Sequence, residues 1–294
     1  QDAKTFRSSE RPHPSKTGSS GAPSRVFEAE PLALANPLSE EAGYMRTSLL
    51  PGLLNLVSYN LNRGATTVRL FESGEVFAKA GDSCDERRRL GIVATGDALP
   101  GSVHSPAQPY TFFHIKGDLE QVLAAFEHQS LQYDANVPAF LHPGRSARAI
   151  MDGETVAVFG QLHPETAATR KIKQDVYLAE VMLDGLYRHA LREPRYQRIS
   201  KFPAVERDFS FIFDDAVTFE RIQSAVKELG IAELKTLEPR EIFRGEKVGA
   251  GKYSVLLHAE FQSQERTLRD EEVAQWSAQI IAKLESLGGV LRAQ

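Results

Sequence analysis

Residues 195–294 carry an order of strand and helix signals that few folds can satisfy. The order is a strand at 209–213, a helix at 218–229, strands at 237–244 and 252–261, a helix at 271–287 and a last strand from 290. Alternating apolar residues indicate the strands, and a Gly-Gly pair ends the second helix. This βαββαβ order predicts a ferredoxin-like domain, a fold that hosts many unrelated functions and therefore defines none by itself.

Alternation along these strands predicts which side chains face away from the helices. In two of the strands, aromatic and aliphatic residues must face the helices, so Ser210 and Ser254 turn to the open face of the sheet. In a third strand Ile242 fits the core, which leaves Phe243 exposed beside Arg244. An exposed aromatic ring with small hydroxyl neighbours can stack an unpaired RNA base. The alternative is that Phe243 covers an apolar patch between domains.

The preceding region mixes strand and helix signals without the regular alternation of a doubly wound sheet. Residues 48–62 predict a helix with a wide apolar face, so we expect Leu53, Leu56 and Leu61 to be buried in the domain core or at a subunit interface. Other elements are predicted as strands at 67–77, 88–95, 147–151, 155–161 and 175–183, and as helices at 112–126 and from 163. The predicted fold class is α+β, with a mixed or antiparallel sheet in this first domain.

The sequence divides into three parts. Residues 1–25 are polar, rich in Ser, Pro and Gly and without apolar periodicity, which predicts a flexible segment. Residues 26–188 and 189–294 are each long enough to bury a core of their own. The chain does not begin with Met, and we expect it to be the C-terminal part of a longer subunit. The alternative is a flexible tail on a complete protein.

Composition favours a globular cytoplasmic protein. Hydrophobic residues make up 41% and charged residues 25% of the chain, and no run approaches the roughly 18 apolar residues of a membrane helix. Cys84 is the only cysteine and cannot form an internal disulfide, which fits a reducing compartment. The net charge is −4, and residues 195–294 carry 15 Lys and Arg against 16 Asp and Glu. Any RNA contact therefore needs a local arrangement and base stacking instead of a large basic field.

No catalytic constellation is apparent in the sequence. The eight histidines lack the spacing of a metal site, and the glycines of the first domain are isolated and form no phosphate-binding loop. Cys84 lies between two acidic residues, which makes it a poor nucleophile. We predict no catalytic residue and no metal site in this chain.

Four sequence strings resemble the β subunit of bacterial phenylalanyl-tRNA synthetase. They are NPLSEE at 36–41, MRTSLLPGLL at 45–54, FESG at 71–74 and SKFPAVERD at 200–208. The resemblance covers roughly residue 26 to the end of the chain. It implies a non-catalytic class II synthetase-like domain followed by a ferredoxin-fold anticodon-binding domain. The chain departs from the family at His114, where an acidic residue is usual.

The resemblance also implies partners. The first domain would pack against the catalytic α subunit of an α2β2 assembly. The last domain would bind the tRNA(Phe) anticodon at the positions matching Ser210, Phe243 and Ser254, with Arg244 beside them. The implied partners include neither a membrane nor DNA. The alternative is a stand-alone RNA-binding or scaffold protein that reuses both domains.

ATP and Mg²⁺ would serve the holoenzyme, with no cofactor in this chain. A working class II site holds the triphosphate with arginines, but residues 68–77 lack the usual Arg-x-Glu pair and no Gly-x-Gly-x-x-Arg run follows 158–164. Without those cations the charge of the triphosphate would be uncompensated. The resemblance therefore implies that this chain is part of a phenylalanine-tRNA ligase holoenzyme and that the chain alone is inactive.

Overall fold

A computed structural model describes the chain in six stretches, which are residues 30–37, 43–81, 83–194, 196, 198–246 and 248–292. The segment predicted to be flexible, residues 1–25, lies outside the described residues. The chain divides into two compact units after Pro194. Each unit is described by itself.

The first unit extends to Pro194. The backbone N–H of Glu127 donates to the carbonyl of Ala190, and that of Arg192 donates to the carbonyl of Ala125, both at 2.8 Å. These bonds explain why the first unit extends beyond the division at 188/189 that was expected from the sequence.

In the described part of the chain, the first unit contains helices and strands that pair in antiparallel fashion. The helices are α1 (Leu50–Leu61), α2 (Phe112–Leu123), α3 (Pro164–Thr169) and α4 (Leu183–Leu186). The strands are β1 (Val68–Ala80), β2 (Ser83–Thr95), β3 (Asp97–Leu99), β4 (Gln108–Pro109), β5 (Leu131–Asp134), β6 (Leu141–Met151), β7 (Glu154–Leu162) and β8 (Val176–Met182). Within the described residues, an antiparallel sheet has the order β1-β2-β8-β7-β6-β5, and β3 pairs with β4. The α+β class is confirmed, and its main sheet is antiparallel.

Helices cover both faces of the main sheet. On one face Leu53 of α1 belongs to the same core cluster as Leu178 of β8. On the other face Ile115 of α2 belongs to the cluster that contains Ala179, the next residue of β8. Every residue of β8 is buried. The sheet is therefore the middle layer of three.

A buried carboxylate fixes the start of α1. The Ser48 hydroxyl donates to Glu180 Oε1 at 2.7 Å, and the Leu49 N–H donates to the same oxygen at 2.9 Å. The Leu50 N–H in turn donates to Ser48 Oγ at 3.1 Å. Burial raises the pKa of Glu180 above its ordinary value, while the bonds from Ser48 and Leu49 act in the opposite direction. Glu180 thus joins the central strand to the first turn of the helix.

We expect Glu180→Ala to lower the free energy of unfolding by about 1–3 kcal/mol, because the Leu49 N–H and the Ser48 hydroxyl lose their buried acceptor. Glu180→Gln is the control, since its amide oxygen can accept both bonds. Urea unfolding followed by circular dichroism measures the loss. Equal stability of the alanine variant and the wild type would contradict this role.

The same residue predicts a pH dependence. Folding raises the pKa of Glu180, so the native chain binds this proton more tightly than the unfolded chain does. The contribution to stability is present below the unfolded-state pKa and is lost as the pH rises through the folded-state pKa. Glu180→Gln should remove this component of the pH profile. An unchanged profile in that variant would assign the dependence to other groups.

Helix α1 has the predicted extent but a narrower buried face than predicted. Leu53 is 2% exposed, whereas Leu56 is 49% exposed. The placement of Leu56 in the domain core is therefore wrong. Leu56 lies roughly 110° around the helix from the centre of the buried face, at 100° per residue. Leu61 is half-buried against the α1 cluster.

Helix α2 begins with a side-chain cap in which histidine replaces a carboxylate. The Thr111 N–H donates to His114 Nδ1 at 3.0 Å. An acidic side chain three residues into a helix accepts the same bond in a capping box. His114 therefore supplies the acceptor that a carboxylate supplies in the usual capping box.

The second unit has the predicted ferredoxin-like fold. Its elements are β9 (Val205–Asp214), α5 (Phe219–Lys227), β10 (Leu234–Phe243), β11 (Lys252–Phe261), α6 (Asp270–Ser286) and β12 (Val290–Leu291). Among the described residues the sheet order is β10-β11-β9-β12, with every neighbouring pair antiparallel. This βαββαβ topology confirms the prediction.

One face of this sheet packs against α5 and α6. Phe209, Phe211 and Phe213 of β9 are buried, as are the residues of β11 at alternate positions from 253 to 261. Trp276 of α6, the only tryptophan in the sequence, stacks on Phe261 with ring centroids 5.7 Å apart. The predicted alternation of β9 and β11 is confirmed, so their other side chains face away from the helices.

The end of β10 does not follow the prediction. Ile242 was expected in the core, but it is 60% exposed. It pairs with core residue Val255, so it lies on the helix side of the sheet. However, the register is irregular between Pro239 and Glu241, and all residues at 238–243 are exposed. This part of the edge strand is not covered, which local alternation cannot reveal.

Candidate RNA-binding surface

A row of side chains crosses the open face of the second sheet at one end. Phe243 of β10 lies opposite Ser254 of β11, and Ser254 lies opposite Ile212 of β9. Ile212 in turn pairs with Val290 of β12. Phe243 is 51% exposed, whereas Ser254 is 5% exposed. The row thus places an aromatic ring at the sheet edge beside a hydroxyl that lies low on the surface.

A second row runs beside the first. Glu241 pairs with Leu256, and Leu256 pairs with the half-buried Ser210. The structure therefore brings Ser210, Ser254 and Phe243, three of the four predicted contact residues, to one face in adjacent rows.

The ring of Phe243 packs against the backbone of Gly245. A Cβ atom added to Gly245 would lie 3.0 Å from Phe243 Cζ and 3.2 Å from Cε1. The ring therefore packs closely against the backbone at Gly245 while half of the residue stays exposed. A ring held in this way loses little side-chain freedom when a flat ligand stacks on it.

Arg244 lies apart from these rows. Its Nη1 pairs with Asp215 Oδ1, and its guanidinium carbon lies 5.1 Å from the centroid of the Tyr253 ring. Tyr253 belongs to the core, where its hydroxyl donates to the Val217 carbonyl at 2.6 Å. Arg244 therefore associates with the helix side of the sheet, and its RNA contact stays a prediction that would require separation from Asp215.

Sequence reasoning missed Arg292, which follows the last strand. Its backbone N–H donates to the Ser210 carbonyl at 2.8 Å, and its Nη1 donates to Ser254 Oγ at 3.3 Å. The signal was available, because alternation from Val290 places residue 292 on the same face of the strand.

The opposite end of the open face is acidic. His258 lies opposite Asp208 on one neighbouring strand and opposite Glu238 on the other. Its Nδ1 lies 2.7 Å from Asp208 Oδ1, and its Nε2 lies 4.0 Å from Glu206 Oε2. Glu260 pairs with Glu206 in the next row. The open face therefore carries an aromatic ring, hydroxyls and the carboxylate of Glu241 at one end, and four carboxylates around His258 at the other.

Three arginines of the main sheet in the first unit are held by neighbouring groups. Arg148 pairs with Asp134, and Arg145 donates to Gln161 Oε1 at 3.0 Å. Arg69 donates to two backbone carbonyls at 3.1 and 2.6 Å.

Within the described stretches, no three His, Cys, Asp or Glu side chains are grouped so that they could hold a metal ion.

The second unit has a ferredoxin-like fold, and residues 200–292 match the family model described as the ferredoxin-fold anticodon binding domain. A second family model, described as the phenylalanyl tRNA synthetase beta chain CLM domain, matches residues 19–183. The chain belongs to the phenylalanyl-tRNA synthetase β chain family.

Curated relatives carry the name phenylalanine–tRNA ligase beta subunit. The protein of Symbiobacterium thermophilum is 33% identical over 263 residues, which cover 89% of this chain and 30% of the relative. That of Carboxydothermus hydrogenoformans is 33% identical over 88% of this chain and 32% of the relative. The chain thus spans about a third of the length of these relatives.

A solved pyrrolysyl-tRNA synthetase from Desulfitobacterium hafniense shows a weaker similarity. Its TM-score is 0.40 at 14% identity, over 55% of this chain and 53% of that one. This similarity is too low to establish a shared fold.

Proposed function

We propose that this chain is the non-catalytic C-terminal part of a phenylalanyl-tRNA synthetase β subunit, and that its second unit binds the anticodon of tRNA(Phe). The supporting observation is the half-exposed ring of Phe243 beside Ser254, on the sheet face that the helices leave uncovered. Sequence-specific RNA recognition commonly uses unpaired bases stacked on such aromatic rings. The near-neutral charge of the unit favours stacking over bulk electrostatics as the source of affinity.

Phe243→Ala is expected to weaken the binding of tRNA(Phe) about tenfold or more, because a stacked base typically contributes about 1–3 kcal/mol. The loss should be larger for tRNA(Phe) with its own anticodon than for a transcript with a replaced anticodon. Fluorescence anisotropy with both labelled transcripts measures the two dissociation constants.

The control for this experiment is Phe113→Ala. Phe113 is 77% exposed but lies on α2 of the first unit, so its removal should leave both constants unchanged. If Phe243→Ala weakened both transcripts equally, the ring would not distinguish anticodons. If it weakened neither, Phe243 would only cover an apolar surface.

The first unit is proposed to pack against the catalytic α subunit in an α2β2 assembly, which would bind ATP and Mg²⁺ in the cytoplasm. Two exposed residues of α1, Leu56 and Tyr59, and the exposed Phe71 of β1 offer apolar contact area for such a partner.

No helix in the described stretches is long and apolar enough to cross a membrane.

Co-expression with a class II catalytic subunit tests this assembly. Co-purification, with phenylalanine-dependent pyrophosphate exchange only when the catalytic subunit is present, is the expected result. Exchange by the chain alone would contradict its non-catalytic assignment. RNA binding without co-purification would favour the stand-alone RNA-binding protein.

A further inference from the structure

We propose that Arg292 binds the phosphate of the nucleotide whose base stacks on Phe243, and so determines the end of the sheet over which the RNA backbone passes. This inference rests on the proposed function and adds an anion contact to it.

The side chain of Arg292 is held on the open face but keeps most of its hydrogen-bonding capacity. Its backbone is fixed by the bond to the Ser210 carbonyl, and Nη1 donates to Ser254 Oγ at 3.3 Å. A guanidinium has five N–H donors, so four are left for a ligand. Such a planar donor set fits a phosphate in a bidentate arrangement.

Arg292 differs in its charge balance from three other cations of this sheet. Arg244 pairs with Asp215, Arg240 lies 3.6 Å from Glu238, and Lys252 lies 3.9 Å from Asp214. Arg292 forms no ion pair with any residue that the structure describes. Its charge is therefore available to an anion without the loss of an existing pair.

The position of Arg292 matches a nucleotide on Phe243. Ser254, which accepts the Arg292 bond, lies directly opposite Phe243 on the neighbouring strand. Neighbouring strands are about 4.8 Å apart. The guanidinium thus lies within about one strand spacing of the strand that carries the ring, where it can reach the phosphate of the same nucleotide.

The acidic end of the face favours the same path. Carboxylates of Glu206, Asp208, Glu238 and Glu260 surround His258 at that end and would repel a phosphate. The sugar-phosphate backbone of a bound RNA therefore passes over the end of the open face that carries Arg292, while the carboxylate end remains free of phosphates.

The test compares Arg292→Gln, Arg292→Lys and Phe243→Ala in the full chain, over a series of salt concentrations and with both anticodon transcripts. Arg292→Gln should weaken binding about tenfold, as expected for loss of a charge-assisted bond. It should affect both transcripts equally and reduce the slope of log K against log salt by about 1. Arg292→Lys should recover the slope, because it keeps the charge.

Phe243→Ala separates the two proposals. If it removes anticodon dependence while Arg292→Gln changes neither affinity nor slope, the phosphate contact is overturned and the anticodon assignment stands. If Phe243→Ala has no effect, the anticodon assignment fails, and this inference fails with it. A loss in Arg292→Gln confined to the native anticodon would indicate base-edge reading and overturn the phosphate contact. Trp276 fluorescence in urea must show unchanged folding of Arg292→Gln; a lower unfolding midpoint with an unchanged salt slope would make Arg292 a structural residue.

Discussion

Phe211→Ala is expected to destabilise the second unit by about 3–5 kcal/mol, the usual cost of removing a fully buried phenylalanine. Phe211 is in the second strand from the sheet edge, is completely buried and stacks on Phe213 with centroids 5.6 Å apart. The lost contacts and the remaining cavity cannot be compensated by a neighbouring side chain in a close-packed core.

Fluorescence of Trp276 measures this effect, because the only tryptophan in the sequence stacks in the core of the second unit. Phe243→Ala provides the matched control, since the same truncation at an exposed position should change the unfolding free energy by about 0.5 kcal/mol or less. Equal destabilisation by both substitutions would show that Phe243 is part of the packing and would remove the basis for its role in stacking.

Leu53→Ala is expected to destabilise the first unit by about 2–5 kcal/mol. Its side chain is buried between α1 and the main sheet, and one methyl group would lie 2.8 Å from a Cβ added to Gly91 of β2. That close approach leaves no room for compensating rearrangement from the strand side. Circular dichroism in urea should show the loss.

Leu56→Ala is the control on the same helix. Leu56 is half exposed in this chain, so we expect a change of about 0.5 kcal/mol or less in the isolated chain. A large loss from Leu56→Ala in the isolated chain would contradict the described packing. A loss that arises only after assembly with the catalytic subunit would instead place Leu56 at the subunit interface.

Local periodicity was sufficient for much of the second unit. Three phenylalanines at alternate positions leave a strand with one possible core face, and this fixed the direction of Ser210. The same pattern in β11 turned Ser254 to the open face. The pairing of Phe243 with Ser254 completes a surface that was predicted in outline from the sequence.

The errors arose where tertiary packing, and not periodicity, decides the outcome. Ile242 points to the helix side of the sheet, as a core residue does. Alternation along a strand cannot show how far the helices cover an edge strand, and here they do not cover Ile242. The apolar face of α1 is wider than the surface of the sheet that it covers, so Leu56, at its margin, stays exposed. Arg292 follows a strand of only two residues, so alternation from Val290 indicates its face, but nothing in so short a strand marks it as a contact residue.

Because helices cover both faces of the main sheet, the first unit tolerates only some kinds of substitution. Phe112 of the α2 segment stacks on Phe159 of β7 with centroids 5.5 Å apart, and α1 occupies the other face. Introduced arginines would meet side chains instead of a ligand, so charge alone could not create a nucleotide site there. A complete substitution scan of these positions should therefore rank variants by side-chain volume and polarity, and swaps such as Leu to Met should be the best accepted.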